Sequence, residues 1–393
     1  MSAKKESTEI KIGLALSGGG VRAAAFHAGV LRYLAEKEQL EMISHVSSVS
    51  GGSLFIGLVF NNAQYKWPSS SEYLSAVFPQ IRELLTSKSL QRSAIFNLLL
   101  NPLNWMFIFS RANVIAQTIK SLWGINVLLG QVTPNILWSI NGTAAETGRR
   151  FRFKNGRMGD YEIGYADATK FPLASAMAVS AAFPGGIGPL VISANEFQWF
   201  KKPQWDAHDE KVIKKLPFNK LHLYDGGLYD NLGIEPIFDM GTQQFKDSEH
   251  GKVNYFVVSD AGAALSRSSL PHMLNPLRFK RIADIAFDQT RSLRVRSFVN
   301  FLQKNPSSGA YLQIGSFPIK TIKRLMRGRE KVAEQLLNMK WLQENEIEAA
   351  ANYPTTLCQM TTSDFDLLAK HGWETARWND LLLGQGYINQ SET

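Results

Sequence analysis

The sequence has almost no cysteine. Of its 393 residues only Cys358 is a cysteine, which excludes an intramolecular disulfide and a cysteine-based zinc cluster. The first residues, MSAKKESTEIKIGL, also lack the apolar core of a secretory signal. We therefore expect the protein to stay in the cytoplasm, either free or peripherally on the inner face of a membrane.

Neither the apolar nor the charged content is extreme. With 45% hydrophobic and 20% charged residues, the composition is that of a globular protein and not of a disordered chain. The charge is unevenly placed, because the segment from Arg278 to Lys331 holds 13 basic and three acidic residues, a net of +10 against +9 for the whole chain. Such a segment indicates contact with lipid headgroups or nucleic acid, with a solvated helix face as the alternative. We expect a membrane and no nucleic acid as the partner.

One stretch lacks charge altogether. Ser93–Ser110 runs for eighteen residues without a charged side chain, which is long enough for a membrane span. However, Asn97, Asn101 and Asn104 fall on one helical face, and Pro102 interrupts the helical hydrogen bonds. We expect a helix that lies on a membrane or forms a lid, with a plain pair of buried helices as the alternative.

Strand and helix signals alternate at the start of the chain, which is typical of a parallel α/β sheet. The signals predict strand, helix, strand and helix at Ile10–Leu16, Val21–Lys37, Val46–Val49 and Leu54–Phe60. The pattern lapses over 61–147, which we interpret as an insertion, and then resumes. From 264 to 393 it is mainly helical and basic. The sequence therefore predicts an α/β domain with a helical C-terminal extension packed on it.

The first turn with chemical potential is Ser17–Arg22, which reads S-G-G-G-V-R between strand and helix. Here Gly18, Gly19 and Gly20 would present unpaired backbone N–H groups, aided by the helix dipole, to a phosphate or to the oxyanion of a tetrahedral intermediate. Arg22 would hold the loop or a bound headgroup. A dinucleotide site would need an acidic residue at the end of the second strand, and that strand ends on a serine instead.

The second turn is S-V-S-G-G, with Ser50 at its centre. A nucleophile elbow places serine on a sharp, strained strand-to-helix turn so that Oγ stands clear of the backbone. Tight packing there needs small residues two positions before and after, and Ser48 and Gly52 satisfy this, although glycine is usual at the first place. A small-residue turn without chemistry is the alternative.

Both turns should open at the same edge of the sheet, because successive parallel strands joined by a helix usually lie side by side. The glycine amides would then face the carbonyl group that Ser50 attacks. The best candidate for the base is Asp225, which follows an apolar strand directly and is supported by Gly226 and Gly227 in a glycine turn.

The motifs GGGVR, the serine elbow and DGG, in this order, resemble those of the patatin-like phospholipase family, and Ser175–Pro189 looks like the family's helix and proline-glycine turn. The resemblance covers about residues 12 to 263. It implies a three-layer α/β/α fold with a mainly parallel sheet, and a dyad of Ser50 and Asp225 that works without histidine, metal or cofactor. It also implies hydrolysis of phospholipid or lysophospholipid acyl esters through an acyl-enzyme. Ser48 departs from the family's glycine.

Two rival interpretations remain. An α/β-hydrolase with a Ser-His-Asp triad would need His250, His272 or His371 after the acid, but its elbow usually follows several strands. A catalytically inactive scaffold that only binds lipid is the other, although the retained serine, aspartate and glycine loop argue against it.

Overall fold

The chain forms alternating strands and helices over most of its length. The computed structural model describes residues 10–132, 135–184, 186–201, 212–262, 265, 269–272, 275 and 277–384. The strands are β1 Ile12–Leu16, β2 Ile43–Val49, β3 Leu137–Ala144, β4 Arg149–Lys154, β5 Arg157–Asp160, β6 Gly164–Asp167, β7 Leu190–Ser193, β8 Trp199–Lys201, β9 Val212–Lys214, β10 Lys220–Asp225, β11 Phe238–Asp239, β12 Gln244–Phe245, β13 Tyr255–Asp260 and β14 Gly309–Gln313.

Helices connect and cover these strands. They are α1 Gly20–Glu36, α2 Gly51–Asn62, α3 Ser70–Glu72, α4 Phe78–Ser87, α5 Leu90–Leu100, α6 Ala112–Trp123, α7 Leu173–Ser180, α8 Gly227–Asp230, α9 Leu277–Lys304, α10 Pro318–Leu325, α11 Glu330–Leu337, α12 Glu344–Ala351 and α13 Thr362–Leu383. A π-helical turn at Tyr73–Val77 joins α3 to α4, and short 3₁₀ helices lie at Leu40–Met42, Pro102–Phe107, Leu129–Gln131 and Ala194–Glu196.

The central sheet is parallel in its middle. The strands β14, β13, β1, β2 and β3 lie in this order and pair in parallel. Beyond β3 the sheet continues through β4, β5, β6, β8 and β9 in antiparallel pairs. The edge of β3 that carries β2 also carries β10, which runs antiparallel to β3 and pairs with its last residues.

Helices cover both faces of this sheet. Because side chains alternate along a strand, Leu14 and Leu16 of β1 lie in the same apolar cluster as α1, while Ala15 packs on the opposite face with Phe298 of α9. The predicted three-layer α/β/α fold with a mainly parallel central sheet is confirmed.

The region interpreted as an insertion, 61–147, is only partly one. Helices α3 to α6 occupy 70–123, but Leu137–Ala144 returns as the fully buried strand β3, which pairs in parallel with β2. Sequence reasoning missed this strand because one face of its LWSINGTA run carries polar residues although both faces are buried. The end of the insertion at 147 must therefore be corrected to a position before 137.

The uncharged stretch Ser93–Ser110 does not form one helix. It is divided between α5 and the 3₁₀ helix Pro102–Phe107, with the break at Asn101 before Pro102. Nine large apolar side chains of this stretch are exposed, which contradicts the alternative of a plain pair of buried helices. We call the surface that they form the apolar tip. It consists of Ile95, Phe96, Leu99, Leu100, Leu103, Trp105, Met106, Ile108 and Phe109. Within the described ranges no helix is both long and apolar enough to cross a bilayer.

The C-terminal helices pack tightly on the N-terminal half. A Cβ added at Gly29 of α1 would lie 1.8 Å from the carbonyl oxygen of Ala369 in α13, and one at Gly372 would lie 2.1 Å from that of Phe26. The two helices therefore meet backbone to backbone, which only glycine allows. The predicted domain boundary falls between residues 263 and 264. Both residues lie outside the described ranges, as do residues 385–393.

Candidate active site

Ser50 occupies a sharp turn between β2 and α2. Its backbone has φ 50° and ψ −119°, a region that non-glycine residues rarely adopt and that costs about 1–3 kcal/mol. The turn packs directly on the glycine loop, because a Cβ at Gly51 would lie 2.2 Å from the carbonyl oxygen of Gly20, and one at Gly52 would lie 2.6 Å from that of Leu16. The sequence signal of an elbow therefore corresponds to a strained, closely packed turn.

Asp225 reaches Ser50 along the edge of β3. Strand β2 ends with Val49 opposite Asn141 of β3, and β10 ends with Asp225 opposite Gly142, the next residue of the same strand. Neighbouring residues on a strand are about 3.3 Å apart. The two strands therefore run toward each other, and their ends bring the serine and the carboxyl together.

The Asp225 carboxyl is held in a nearly dry position. Asp225 is only 3% exposed. Its backbone amide donates to the carbonyl of Ala182 at 3.1 Å, and its Oδ1 accepts from the Gly227 amide at 2.7 Å. Burial raises the pKa of Asp225 to about 7, while hydrogen bonds from the Gly227 amide and the Ser50 side chain act in the lowering direction. A carboxyl with this pKa can exchange a proton near neutral pH.

The glycine loop leads into helix α1. The amides of Gly19 and Gly20 have no acceptor among the described residues, and they lie at the positive end of a 17-residue helix. The next amide, that of Val21, donates to the carbonyl of Thr356 at 2.9 Å. Gly18 requires a correction, because its amide donates to the carbonyl of Asn231 at 3.1 Å and is not available to an oxyanion.

Arg22 is a structural residue of this loop. It is 3% exposed, and its guanidinium donates to the carbonyls of Ala261 at 3.2 Å and Tyr353 at 2.7 Å. Burial lowers the pKa of Arg22 to about 10, and the nearby Asp260 acts in the raising direction. Of the two roles expected for Arg22, these contacts favour holding the loop over binding a headgroup.

The turn after Asp225 is packed as closely as the elbow. A Cβ at Gly226 would lie 2.5 Å from the Asn141 carbonyl oxygen, and one at Gly227 would lie 2.8 Å from the Asn231 side-chain oxygen. Asn231 thus fills the space between this turn and the glycine loop. Sequence patterns do not reveal this role, because the second contact of Asn231 is with a loop more than 200 positions away.

Helix α9 fastens the loops behind the site. Arg291 pairs with the buried Asp260 at 2.5 Å, and Arg294 pairs with Glu235 at 2.9 Å and with Asp230 at 3.5 Å. These two arginines belong to the basic segment Arg278–Lys331. Its net charge of +10 is therefore not all available to an anionic surface, which corrects the sequence-based expectation.

Two of the three histidines named for the triad interpretation lie elsewhere. His371 accepts from the Gly315 amide at 2.8 Å inside the core, and the His250 ring lies 6.4 Å from that of His45, beside the start of β2. Within the described part of the chain, none of the hydrogen bonds of His27, His45, His222, His250 and His371 reaches Ser50 or Asp225. The described residues also hold no group of three or more His, Cys, Asp or Glu placed to bind a metal ion.

Comparison with known proteins gives a family match and a fold match. The family model of the patatin-like phospholipases matches residues 14–238. Human GIVD cytosolic phospholipase A2 superposes with a TM-score of 0.52 at 12% identity, over 95% of this chain and 61% of the human chain. The same human enzyme in complex with methyl gamma-linolenyl fluorophosphonate and terbium chloride gives 0.50 at 13% identity, over 97% and 59%. No curated protein sequence matches the chain. The chain thus shares its fold with the human enzyme and spans about three-fifths of that enzyme's solved length.

Proposed function

Because this chain belongs to the patatin-like phospholipase family, we propose that it is a lipid acyl hydrolase with Ser50 as nucleophile and Asp225 as general base. The observation that supports this most directly is a strained serine beside a buried carboxyl with a pKa of about 7. An aspartate with its ordinary pKa near 4 would be a weak base for a hydroxyl group, whereas one near 7 is matched to neutral pH.

In the proposed acylation step, the Asp225 carboxylate accepts the proton of Ser50 Oγ as Oγ attacks the ester carbonyl carbon. The oxyanion that forms accepts hydrogen bonds from the Gly19 and Gly20 amides, and loss of one such donor typically costs about two to three orders of magnitude in rate. The intermediate then collapses, the ester C–O bond breaks, and Asp225 returns the proton to the departing alcohol. The acyl group stays on Ser50.

Deacylation repeats these roles with water. Asp225 accepts a proton from the water molecule, whose oxygen attacks the acyl carbon under the same two amides. Ser50 Oγ leaves and takes the proton back from Asp225, and a fatty acid is released. Each half of the cycle uses one carboxyl group as base and then as acid, so neither a histidine nor a metal ion is needed in this scheme.

We assign a phospholipid or lysophospholipid as the substrate. The support comes from the family and from the human enzyme, which has been solved with a linolenyl fluorophosphonate inhibitor. Since the chain spans about three-fifths of that enzyme, the headgroup it accepts is a matter for experiment.

The same proposal includes contact of the apolar tip with an anionic bilayer. Side chains in the tip are as exposed as 77% for Leu100, 78% for Leu103 and 88% for Phe109, which is costly in water and favourable at a lipid surface. The exposed Arg92 and Arg111 flank the uncharged stretch, where they can pair with lipid headgroups.

The tip lies next to a turn that contacts the base. The carbonyl oxygen of Phe109 would lie 3.1 Å from a Cβ at Gly188, in the turn that follows α7. At the start of this turn the Ala182 carbonyl accepts the amide of Asp225. A bilayer bound at the tip would therefore deliver an ester close to Ser50.

Three exposed basic residues of the basic segment, Lys323, Arg324 and Arg327, are called the basic trio here. We propose that they add electrostatic attraction to an anionic bilayer.

The deciding experiment incubates wild type, Ser50→Ala and Asp225→Asn with mixed phospholipids and follows fatty acids and lysolipids by mass spectrometry. We expect products from wild type alone, and labelling of Ser50 by a fluorophosphonate probe. Labelling that persists in Ser50→Ala would refute the assignment of the nucleophile. An inert wild type over all lipids, with no labelling, would favour the lipid-binding scaffold.

A further inference from the structure

A chain of buried hydroxyl groups runs beneath the elbow. The Oγ atoms of Ser48 and Ser53 are 2.8 Å apart, those of Ser53 and Ser180 are also 2.8 Å apart, and Trp138 Nε1 lies 2.9 Å from Ser48 Oγ. At the other end Ser180 Oγ lies 2.6 Å from the carbonyl oxygen of Asn141. The three serines are completely shielded from solvent.

The direction of every hydrogen bond in this chain is fixed by its ends. A carbonyl oxygen can only accept, so Ser180 donates its single hydroxyl proton to Asn141. Ser53 must then donate to Ser180, and Ser48 to Ser53. The indole N–H of Trp138 can only donate, so it donates to Ser48. Such one-directional chains strengthen each member, because each donor polarises the next.

The remaining lone pair of Ser180 accepts the backbone amide of Ser50 at 3.0 Å. Ser50 has a strained φ of 50°, and this hydrogen bond helps to maintain it. The serine at position 48, where glycine is usual in an elbow, supplies one member of the chain and so has a function of its own.

We infer that Ser180 is a positioning residue, which holds the Ser50 backbone in its strained conformation through a hydroxyl chain that begins at Trp138. It neither touches the substrate nor takes a proton in the reaction. The inference rests on the proposed function, since Ser50 must be the nucleophile for its orientation to matter.

The test compares Ser180→Ala with Ser180→Thr, which keeps the hydroxyl, and with Ser139→Ala, a buried serine of β3 outside the chain. The rates of labelling by a fluorophosphonate probe and of hydrolysis of a soluble short-chain ester are measured. Misplacement of a reacting group typically costs up to about a hundredfold, so we expect Ser180→Ala to lower kcat and the labelling rate about ten- to a hundredfold with KM unchanged. Ser180→Thr should recover part of this loss, and Ser139→Ala should match wild type.

A second variant covers failure of Ser180→Ala to fold. Ser53→Ala removes the hydroxyl in the middle of the chain, which donates to Ser180 and accepts from Ser48. Since only the bond to Ser180 supports the residue that holds Ser50, the loss of that one hydrogen bond predicts about a two- to tenfold lower labelling rate. Wild-type rates in Ser180→Ala, or in Ser53→Ala where only that variant folds, would overturn the inference.

Hydrogen exchange of the Ser50 amide separates the two proposals. With selectively ¹⁵N-labelled serine, exchange at Ser50 should be faster in Ser180→Ala than in wild type, whether or not the protein hydrolyses lipids. Unchanged exchange would overturn the positioning role while leaving the proposed function intact. A wild type that is neither labelled nor active would instead refute the proposed function.

Discussion

The pKa of Asp225 leads to a quantitative prediction for the pH dependence of catalysis. With a pKa of about 7, the carboxyl is ionised in about 1% of molecules at pH 5, in half at pH 7 and in about 99% at pH 9. Because the proposed base must be ionised, kcat/KM should rise about fiftyfold from pH 5 to pH 7 and level off above pH 8. An ordinary aspartate would give a flat profile over this range.

The same group makes a prediction for stability. The folded-state pKa is raised from 3.8 to about 7, so the folded protein binds more protons than the unfolded chain between these values. The contribution of Asp225 to the free energy of unfolding should therefore be greatest below pH 4 and should fall as the pH rises to 7. A shift of about three units corresponds to about 4 kcal/mol.

Two measurements check these values. Initial rates on a soluble ester from pH 5 to pH 9 give the rising limb, and urea unfolding of wild type and Asp225→Asn from pH 4 to pH 9 gives the stability difference. We expect Asp225→Asn to be inactive and to gain stability relative to wild type as the pH rises. Asp167→Asn, which changes an exposed aspartate, is the control and should behave as wild type. A flat rate profile from pH 5 to pH 9, or the same pH dependence of unfolding in both proteins, would refute the reasoning.

The other predictions concern the elbow and the membrane surface. Gly51→Ala should abolish labelling of Ser50 and lower the melting temperature, because the new Cβ would lie 2.2 Å from the Gly20 carbonyl oxygen; wild-type labelling would contradict this contact. Aspartate at Leu100, Leu103 and Phe109 should weaken sedimentation with anionic vesicles, since each apolar side chain buried contributes about 1.5–3 kcal/mol, while hydrolysis of a soluble ester continues. Charge reversal of the basic trio should weaken the same binding at low salt. Binding that changes neither with salt nor with this substitution would show that the trio makes no contact with the bilayer.

The two turns could be predicted from sequence because each is a local feature. An apolar strand, a run of glycines or small residues and a helix follow one another within about ten positions, both at the glycine loop and around Ser50. Small residues are needed there for a reason that applies within the turn itself, since a larger side chain would strike the adjoining backbone. Asp225 was likewise found from the strand that directly precedes it.

The position of Asp225 relative to Ser50 could not be predicted in the same way. The sequence places Asp225 at the end of a strand but does not say which strand end it meets, since β10 runs antiparallel to β3 and approaches the end of β2 head-on. Strand β3 itself was assigned to an insertion, because its polar residues disguise a buried strand. Pairing partners are separated by long stretches of chain, and no local pattern records them.

Local sequence patterns therefore suffice to predict the strand-to-helix turn at Ser50, the glycine loop and the fold class, since these depend on backbone conformation and on alternating apolar runs. Only the tertiary structure decided which amides remain free, because the Gly18 amide is used by Asn231, more than 200 residues further along the chain. It also decided the proton affinity of Asp225, which is set by burial among distant elements. Hydrogen bonds and desolvation depend on which groups are in contact in the folded protein, and contacts between residues far apart in the chain cannot be read from the local sequence.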